Sequence, residues 1–188
     1  TEAHSASREL LDATHNGVTC GGSILGWKKG IVHYHRAGLE NYRLPIYASL
    51  GSIFFPFTGQ TATFLNASGT AGTGKSTLLD GCAAMWGNPQ RLVLSGGKQG
   101  YTRTGVEICT DALHNLPLFL DEITKRDAEE MQELIFSYSG GRGKVRGKAG
   151  GGLRTDTASW SNIAICNGNT NEYDRMAALS DNNMHDMV

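Results

Sequence analysis

Beyond Gly59 the chain alternates short apolar runs with amphipathic stretches, the rhythm of strand and helix that predicts a parallel sheet covered by helices. Four runs read as inner strands: Thr61 to Leu65 (TATFL), Arg91 to Leu94 (RLVL), Leu116 to Leu120 (LPLFL) and Asn162 to Cys166 (NIAIC). Each is short and apolar throughout, as a strand buried on both faces must be. Between them, Lys75 to Trp86 sets Leu78, Leu79, Cys82 and Trp86 on one helical face, with Gly87 placed to end the helix. Thr104 with Glu107, and Thr124 with Asp127, have the spacing of helix-opening capping boxes. In the helix after Thr124 a buried stripe is predicted at Ala128, Met131, Leu134, Ile135 and Tyr138.

Before Gly59 the signals are weaker. Ser5 to Ala13 reads as a short helix, followed by a turn-rich run from His15 to Gly22. Gly26 to Tyr34 alternates weakly, and Asn41 to Phe57 reads as a buried helix opened by Pro45 and closed before Pro56. Residues 1–58 are therefore expected to form a helical or lid subdomain, and residues 59–188 the core.

Composition fits one ordinary soluble domain: 188 residues, 39% hydrophobic, 19% charged, formal net charge −1. The most apolar stretch, Leu44 to Phe57, is interrupted by Pro, Gly and Ser and falls short of the roughly 20 residues needed to span a bilayer, so no membrane partner is expected. The start lacks a Met and the pattern of a signal peptide, which suggests an excised piece of a longer protein. Cys20, Cys82, Cys109 and Cys166 lie far apart with no CxxC pair, pointing to buried reduced thiols and a cytoplasmic location. Charge is uneven: five of the 17 Lys and Arg fall between Gly140 and Thr155 with no acid among them, in a segment that also holds seven of the 25 glycines.

The clearest chemistry lies at Gly69 to Ser76, GTAGTGKS, which satisfies G-x-x-x-x-G-K-[ST] between a predicted strand and a predicted helix. Glycines at 69, 72 and 74 let the backbone of Gly69, Thr70, Ala71, Gly72, Thr73 and Gly74 curl so that successive N–H groups and the helix start face a phosphate. Lys75 then reaches the β and γ phosphates of ATP, Ser76 offers its hydroxyl to Mg²⁺, and Thr77 lies near the α phosphate.

Leu116 to Leu120 runs into Asp121-Glu122, about 45 residues beyond Lys75, and such a strand can lie beside the first one. Asp121 is then the second anchor for Mg²⁺, and Glu122 a base for water lined up on the γ phosphate. Two adjacent acids favour hydrolysis over transfer to a bound acceptor.

Taken together, ASGTAGTGKSTLLDGCAAMWGNP, LFLDEITKRDAEEMQELIFSYSGGRGKVRG and NIAICNGN resemble the helicase-like domain-of-unknown-function 927 family of phage and mobile-element replication proteins, from Gly26 to about Asn169. The resemblance implies an α/β fold of the additional-strand P-loop NTPase type, a central parallel sheet with helices on both faces, related to ring-forming AAA+ and superfamily 3 helicases. It implies nucleotide held between neighbouring subunits, single-stranded or forked DNA as partner, and a bacterial or phage-encoded setting. The family usually closes its last core strand with Ser/Thr-Gly-Glu. Here Cys166 is followed by Asn167-Gly168-Asn169, and Asn167 resembles the polar sensor that contacts the γ phosphate or the attacking water. An arginine from the neighbouring subunit is expected some 20 residues past that strand. Arg175, the only arginine after Asn167, falls early, on a helix expected to start near Asn171.

Ring helicases place a nucleic-acid-gripping loop between the helix after the acidic pair and the sensor strand, where this chain has GGRGKVRGKAGGGLR. In an extended hairpin Arg142, Lys144, Arg146 and Lys148 would share one face about 6.6 Å apart, near the spacing of single-strand phosphates, which implies backbone contact without base specificity. A solvated basic linker is the alternative. His33, His35 and Cys20 imitate part of a metal site but lack a fourth ligand at suitable spacing, and Lys98, Tyr101 and Arg103 are expected at the surface. The sequence thus supports an ATP-hydrolysing DNA helicase or translocase. A nucleotide-switched DNA-binding module and a small-molecule phosphotransferase are the alternatives.

Overall fold

The computed structural model describes residues 12–96, 100–125, 127–144 and 158–185. After a helical stretch at 12–17 come α1 (Ile24–Ile31), 3₁₀ turns at Val32–His35 and Glu40–Tyr42, α2 (Arg43–Gly51) and a 3₁₀ run Ser52–Thr58. The core follows as β1 (Ala62–Ser68), α3 (Lys75–Ala83), α4 (Pro89–Leu92), β2 (Val93–Ser95), α5 (Arg103–Leu113), β3 (Leu118–Asp121), a 3₁₀ turn Ile123–Lys125, α6 (Ala128–Ser139), β4 (Asn162–Gly168) and α7 (Glu172–His185).

All four strands are parallel, in the order β1-β4-β3-β2. The last strand of the chain is thus inserted between the first and third, so β3 is not beside β1 as its sequence suggested. Successive strand residues face opposite ways, yet Leu118, Phe119, Leu120, Ala164, Ile165 and Cys166 are all at most 1% exposed. Both faces of β3 and β4 are therefore covered, whereas β1 and β2, expected as inner strands, are the edges of the described sheet and only partly buried. Leu78, Leu79, Cys82 and Ala83 of α3, Val106, Cys109 and Leu113 of α5, and Met131, Leu134 and Tyr138 of α6 supply that cover.

The strands begin and end differently from their apolar runs. β2 is delayed to Val93 because Asn88 caps a short helix, its side chain accepting from the Gln90 N–H. β4 continues through Asn167 to Gly168, so Asn167 lies within the strand and not after it. Helix starts also move. Thr102, not Thr104, caps α5 by accepting from the Gly105 N–H, and Asp127, not Thr124, is the N-cap position of α6. Gly87 does not end α3, which stops at Ala83. Its role is close approach: a Cβ there would sit 2.0 Å from the Gly17 carbonyl oxygen.

The N-terminal segment departs most. Gly26 to Tyr34 is helical, so His33 and His35 do not share a strand face. In α2, Pro45 falls in the first turn, where its missing N–H costs nothing, and Pro56 lies inside the 3₁₀ run that continues past it. Only one face of this stretch is buried, at Pro45, Ile46, Ser49 and Ser52, while Leu44, Tyr47, Phe54 and Phe57 are exposed. Ser52 ties the segment to the sheet: its hydroxyl donates to the Asn115 carbonyl and accepts from the Ile163 N–H of β4. Tyr101 is buried and Arg103 pairs with Glu133 at 2.6 Å, so neither is a free surface group; Lys98 lies outside the described residues.

Cys82, Cys109 and Cys166 are buried and reduced, but Cys20 is exposed. Burial pushes the Cys82 thiol up to about 12 from 9.0, and raises Cys109 and Cys166 as well. A thiol-reactive chromogenic disulfide should therefore label Cys20 quickly and the other three only on unfolding. Because the folded-state Cys82 value is raised, the stability it contributes is complete below pH 9 and declines as pH rises from 9 towards 12, with an expected slope of about 1.4 kcal/mol per pH unit, read by urea titration.

Candidate nucleotide site

The loop between β1 and α3 turns twice through left-handed backbone, at Gly72 (φ 80°) and Gly74 (φ 82°), conformations that a side chain would strain. A Cβ at either would meet nothing within 4 Å, so the loop bounds open space. Gly74 is also the N-cap position of α3, so the helix start faces the same space. Lys75 folds back over the loop, its Nζ donating to the carbonyls of Gly69 (2.8 Å) and Thr70 (2.7 Å). The Thr73 hydroxyl donates to the Thr70 carbonyl, bracing the turn.

Parallel strands all end on the same side, and the sheet order brings three strand ends to this loop. Ser76 Oγ donates to Asp121 Oδ1 at 3.1 Å. Asn167, 2% exposed, sits between the two: its Oδ1 accepts from the Glu122 N–H at 2.8 Å and its Nδ2 donates to Ser76 Oγ at 3.4 Å. The amide orientation is fixed chemically, since a backbone N–H can only donate and so must meet Oδ1. Glu122 holds φ 53°, left-handed for a residue with a side chain, a strain of the kind that collects at functional sites. Its carboxylate pairs with Lys125 one turn on. Together Lys75, Ser76, Thr77, Glu122, Asn167 and the loop residues Ala71, Gly72 and Gly74 line a cleft of about 410 Å³, completed by Thr124, Gly168 and Asn169.

Among the described residues no group of three or more His, Cys, Asp or Glu could hold a metal unaided. The Ser76 hydroxyl and Asp121 carboxylate are nonetheless hard oxygen donors of the kind Mg²⁺ accepts when phosphates and water complete its shell. Curled N–H donors, Lys75 and this oxygen pair thus fit a Mg²⁺-bound polyphosphate. Asp80, further along α3, has its carboxyl raised, chiefly by burial and then by repulsion from Asp121.

The chain belongs to the DUF927 family. Residues 4–158 match that family, described as a domain of unknown function. No curated protein matches. Among solved structures, the DUF927 domain is similar to one described as "SCCmec type IV Cch - active helicase", with a TM-score of 0.58 and 19% identity. That match covers 84% of this chain but only 29% of the helicase chain, so the domain spans less than a third of that protein. The likeness establishes a helicase-like α/β fold. NtrX from Brucella abortus, solved in complex with ATP, aligns at a TM-score of only 0.39 with 16% identity, over 94% of this chain and 38% of its own.

The basic residues lie elsewhere. Arg142 bridges antiparallel to Ser159, and the Gly143 N–H donates to the Ala158 carbonyl, so 141–143 and 158–160 run as an antiparallel pair, a root from which the segment between them departs. This root adjoins the N-terminal end of β4, about 17 Å along the strand from Asn167. Arg142 and Lys144 are exposed there; Arg146 and Lys148 lie outside the described residues. Arg175, on α7, is bound to Glu172 at 2.7 and 2.9 Å. Sequence reasoning missed Tyr42, whose hydroxyl donates to the Thr73 carbonyl at 2.8 Å, and Lys125. An aromatic 31 residues before the loop carries no signal, whereas a Lys three residues after Glu122 was readable.

Removing the buried amide tests how the strand ends are held. Asn167→Ala should cost about 1–3 kcal/mol in chemical denaturation, because the Glu122 N–H loses its partner.

Proposed function

We propose that this domain binds ATP with Mg²⁺ and hydrolyses it, as the nucleotide-driven core of a helicase or translocase that acts on single-stranded or forked DNA in phage or mobile-element replication. The observation that carries the reading is the convergence of Lys75, Ser76, Glu122 and Asn167 on one cleft at the ends of three adjacent parallel strands, with Asp121 accepting from the Ser76 hydroxyl beside it.

In this reading the loop N–H groups and the α3 start receive the phosphates, and Lys75 exchanges its two carbonyl partners for phosphate oxygens. Bound Mg²⁺ would draw charge from the phosphate oxygens. Ser76 and Asp121 hold its coordination shell, and Glu122 takes the proton of the attacking water once its carboxylate leaves Lys125. Asn167 positions Glu122 through its backbone and lies close enough to Ser76 to register what that hydroxyl binds. Thr77 serves the α phosphate. The basic segment rooted at Arg142 contacts the DNA backbone, and assembly into a ring supplies an arginine in trans, since Arg175 is engaged by Glu172.

Lys75→Ala should abolish tight ATP binding in calorimetry while the thermal melt stays unchanged. Glu122→Gln should keep ATP affinity and lower phosphate release about 100-fold or more, because the amide can hold water but cannot accept its proton. Normal affinity in the first or normal turnover in the second would refute the assigned roles. Replacing Arg142, Lys144, Arg146 and Lys148 together by Ser should weaken single-stranded DNA binding and reduce its salt slope by about 0.7 per lost phosphate contact. An unchanged slope would make the segment a solvated linker.

A further inference from the structure

A second and larger cavity, about 1030 Å³, opens on the other side of Thr77, which lines both it and the phosphate cleft. Its floor is α3 with Thr77 and Gly81, continued by Ala84 just past the helix end, and its opposite wall is Trp27 of α1 with Tyr34 of the 3₁₀ turn that follows. Both walls are fastened to the phosphate-binding element. The Trp27 indole N–H donates to the Gly81 carbonyl at 2.9 Å, pinning α1 onto α3. Tyr34 stacks on Tyr42, with ring centroids 5.8 Å apart and an interplanar angle of 21°, and Tyr42 in turn donates to the Thr73 carbonyl inside the loop.

We propose that this cavity is the nucleoside subsite of the cleft, receiving the base and ribose of the nucleotide with Tyr34 as the aromatic wall of the base; the proposal rests on the phosphate-binding reading above. Thr77 is the junction. A triphosphate held by Lys75 and Ser76 brings its α phosphate to Thr77, and the nucleoside beyond it must continue past that residue. Four residues further, about 6 Å along α3, Gly81 leaves the floor without a side chain. A flat heteroaromatic base suits an apolar, aromatic-walled slot of this size, since stacking needs only a π face. Burial, with smaller contributions from Cys82 and Tyr42, raises the Tyr34 hydroxyl, which keeps that ring neutral.

The test compares MgATP with magnesium tripolyphosphate, which carries the phosphates without a nucleoside, by calorimetry on the whole chain. The unaltered protein should bind ATP at least tenfold more tightly than tripolyphosphate. Tyr34→Ala removes the stacking wall, and Gly81→Leu fills the floor, where a Cβ meets only Ile31 Cδ1 at 3.4 Å. Each should close that gap by raising the Kd for ATP while tripolyphosphate binding stays within twofold, which also reports that the variant is folded. Equal binding of the two ligands by the unaltered protein, a gap that survives both substitutions, or loss of both ligands in both variants would overturn the subsite. If the unaltered protein binds neither ligand, the phosphate-binding reading itself fails, a result distinct from all of these.

Discussion

A single buried amide holds the strand ends together. Asn167 can reach both the Glu122 backbone and the Ser76 hydroxyl only because β4 is inserted between β1 and β3, in register with Ala67 on one side and with Leu120 beside Cys166 on the other. Were β3 to pair directly with β1, Asp121 and Ser76 could still meet, but nothing would fix the left-handed turn at Glu122. With the amide in place, an acid on one strand, a hydroxyl on a helix and the Asn167 side chain on a third element share one hydrogen-bonded frame. A shift of one member is then felt by the others, since buried polar networks tolerate few alternative geometries.

The opposite end of the same strand is fixed by a second polar knot. Asn162, fully buried, bonds to the Tyr138 hydroxyl through Oδ1 and donates through Nδ2 to the Leu116 carbonyl at 2.8 Å, while Trp160 donates to the Tyr138 carbonyl at 2.9 Å. Phe64 packs edge-on against Tyr138. This knot fixes α6 against β1 and β4, and from it the antiparallel root at 141–143 and 158–160 departs. The central strand therefore carries a polar anchor at each end and an apolar middle, Ala164 to Cys166, between them. In the proposed function it would link the phosphate cleft at one end to a DNA-contacting segment at the other through a rigid strand.

The cleft is internally balanced. Lys75 is satisfied by loop carbonyls and Glu122 by Lys125, so the strong charges of the site have local partners. An exposed ion pair such as Glu122–Lys125 contributes little stability, so the Glu122 carboxylate can exchange its partner at small cost. The N-terminal helices belong to the same arrangement. Tyr42 touches the loop, Trp27 grips α3 and Ile46 lies in the core, so residues ahead of the sheet shape the space around the turn at Gly72 and Gly74.

The sequence alone determined what depends on local chemistry. The glycines at 72 and 74 dictate the loop because few other residues tolerate that backbone. The apolar runs at Leu116 to Leu120 and Asn162 to Cys166 foretold inner strands because burial on both faces excludes polar positions, whereas Thr61 to Leu65 and Arg91 to Leu94 became the partly buried edge strands of the described sheet. Of the stripe that periodicity placed on α6, Met131, Leu134 and Tyr138 are buried, while Ala128 and Ile135 are only partly covered. Strand order, by contrast, is a long-range property, and no pattern within Leu116 to Leu120 states which strand will lie beside it. Helix caps moved by two or three residues because Thr102 and Thr104, or Thr124 and Asp127, are equally plausible caps until packing fixes where the helix axis points. The N-terminal segment was misjudged because its apolar residues face two ways, and only contact with α3 and β4 decided that Ile46 would be buried while Tyr47 and Phe54 stayed exposed. Tyr34, Tyr42 and Trp27 gained their place beside the loop from that same docking, an outcome of tertiary packing that no local spacing encodes.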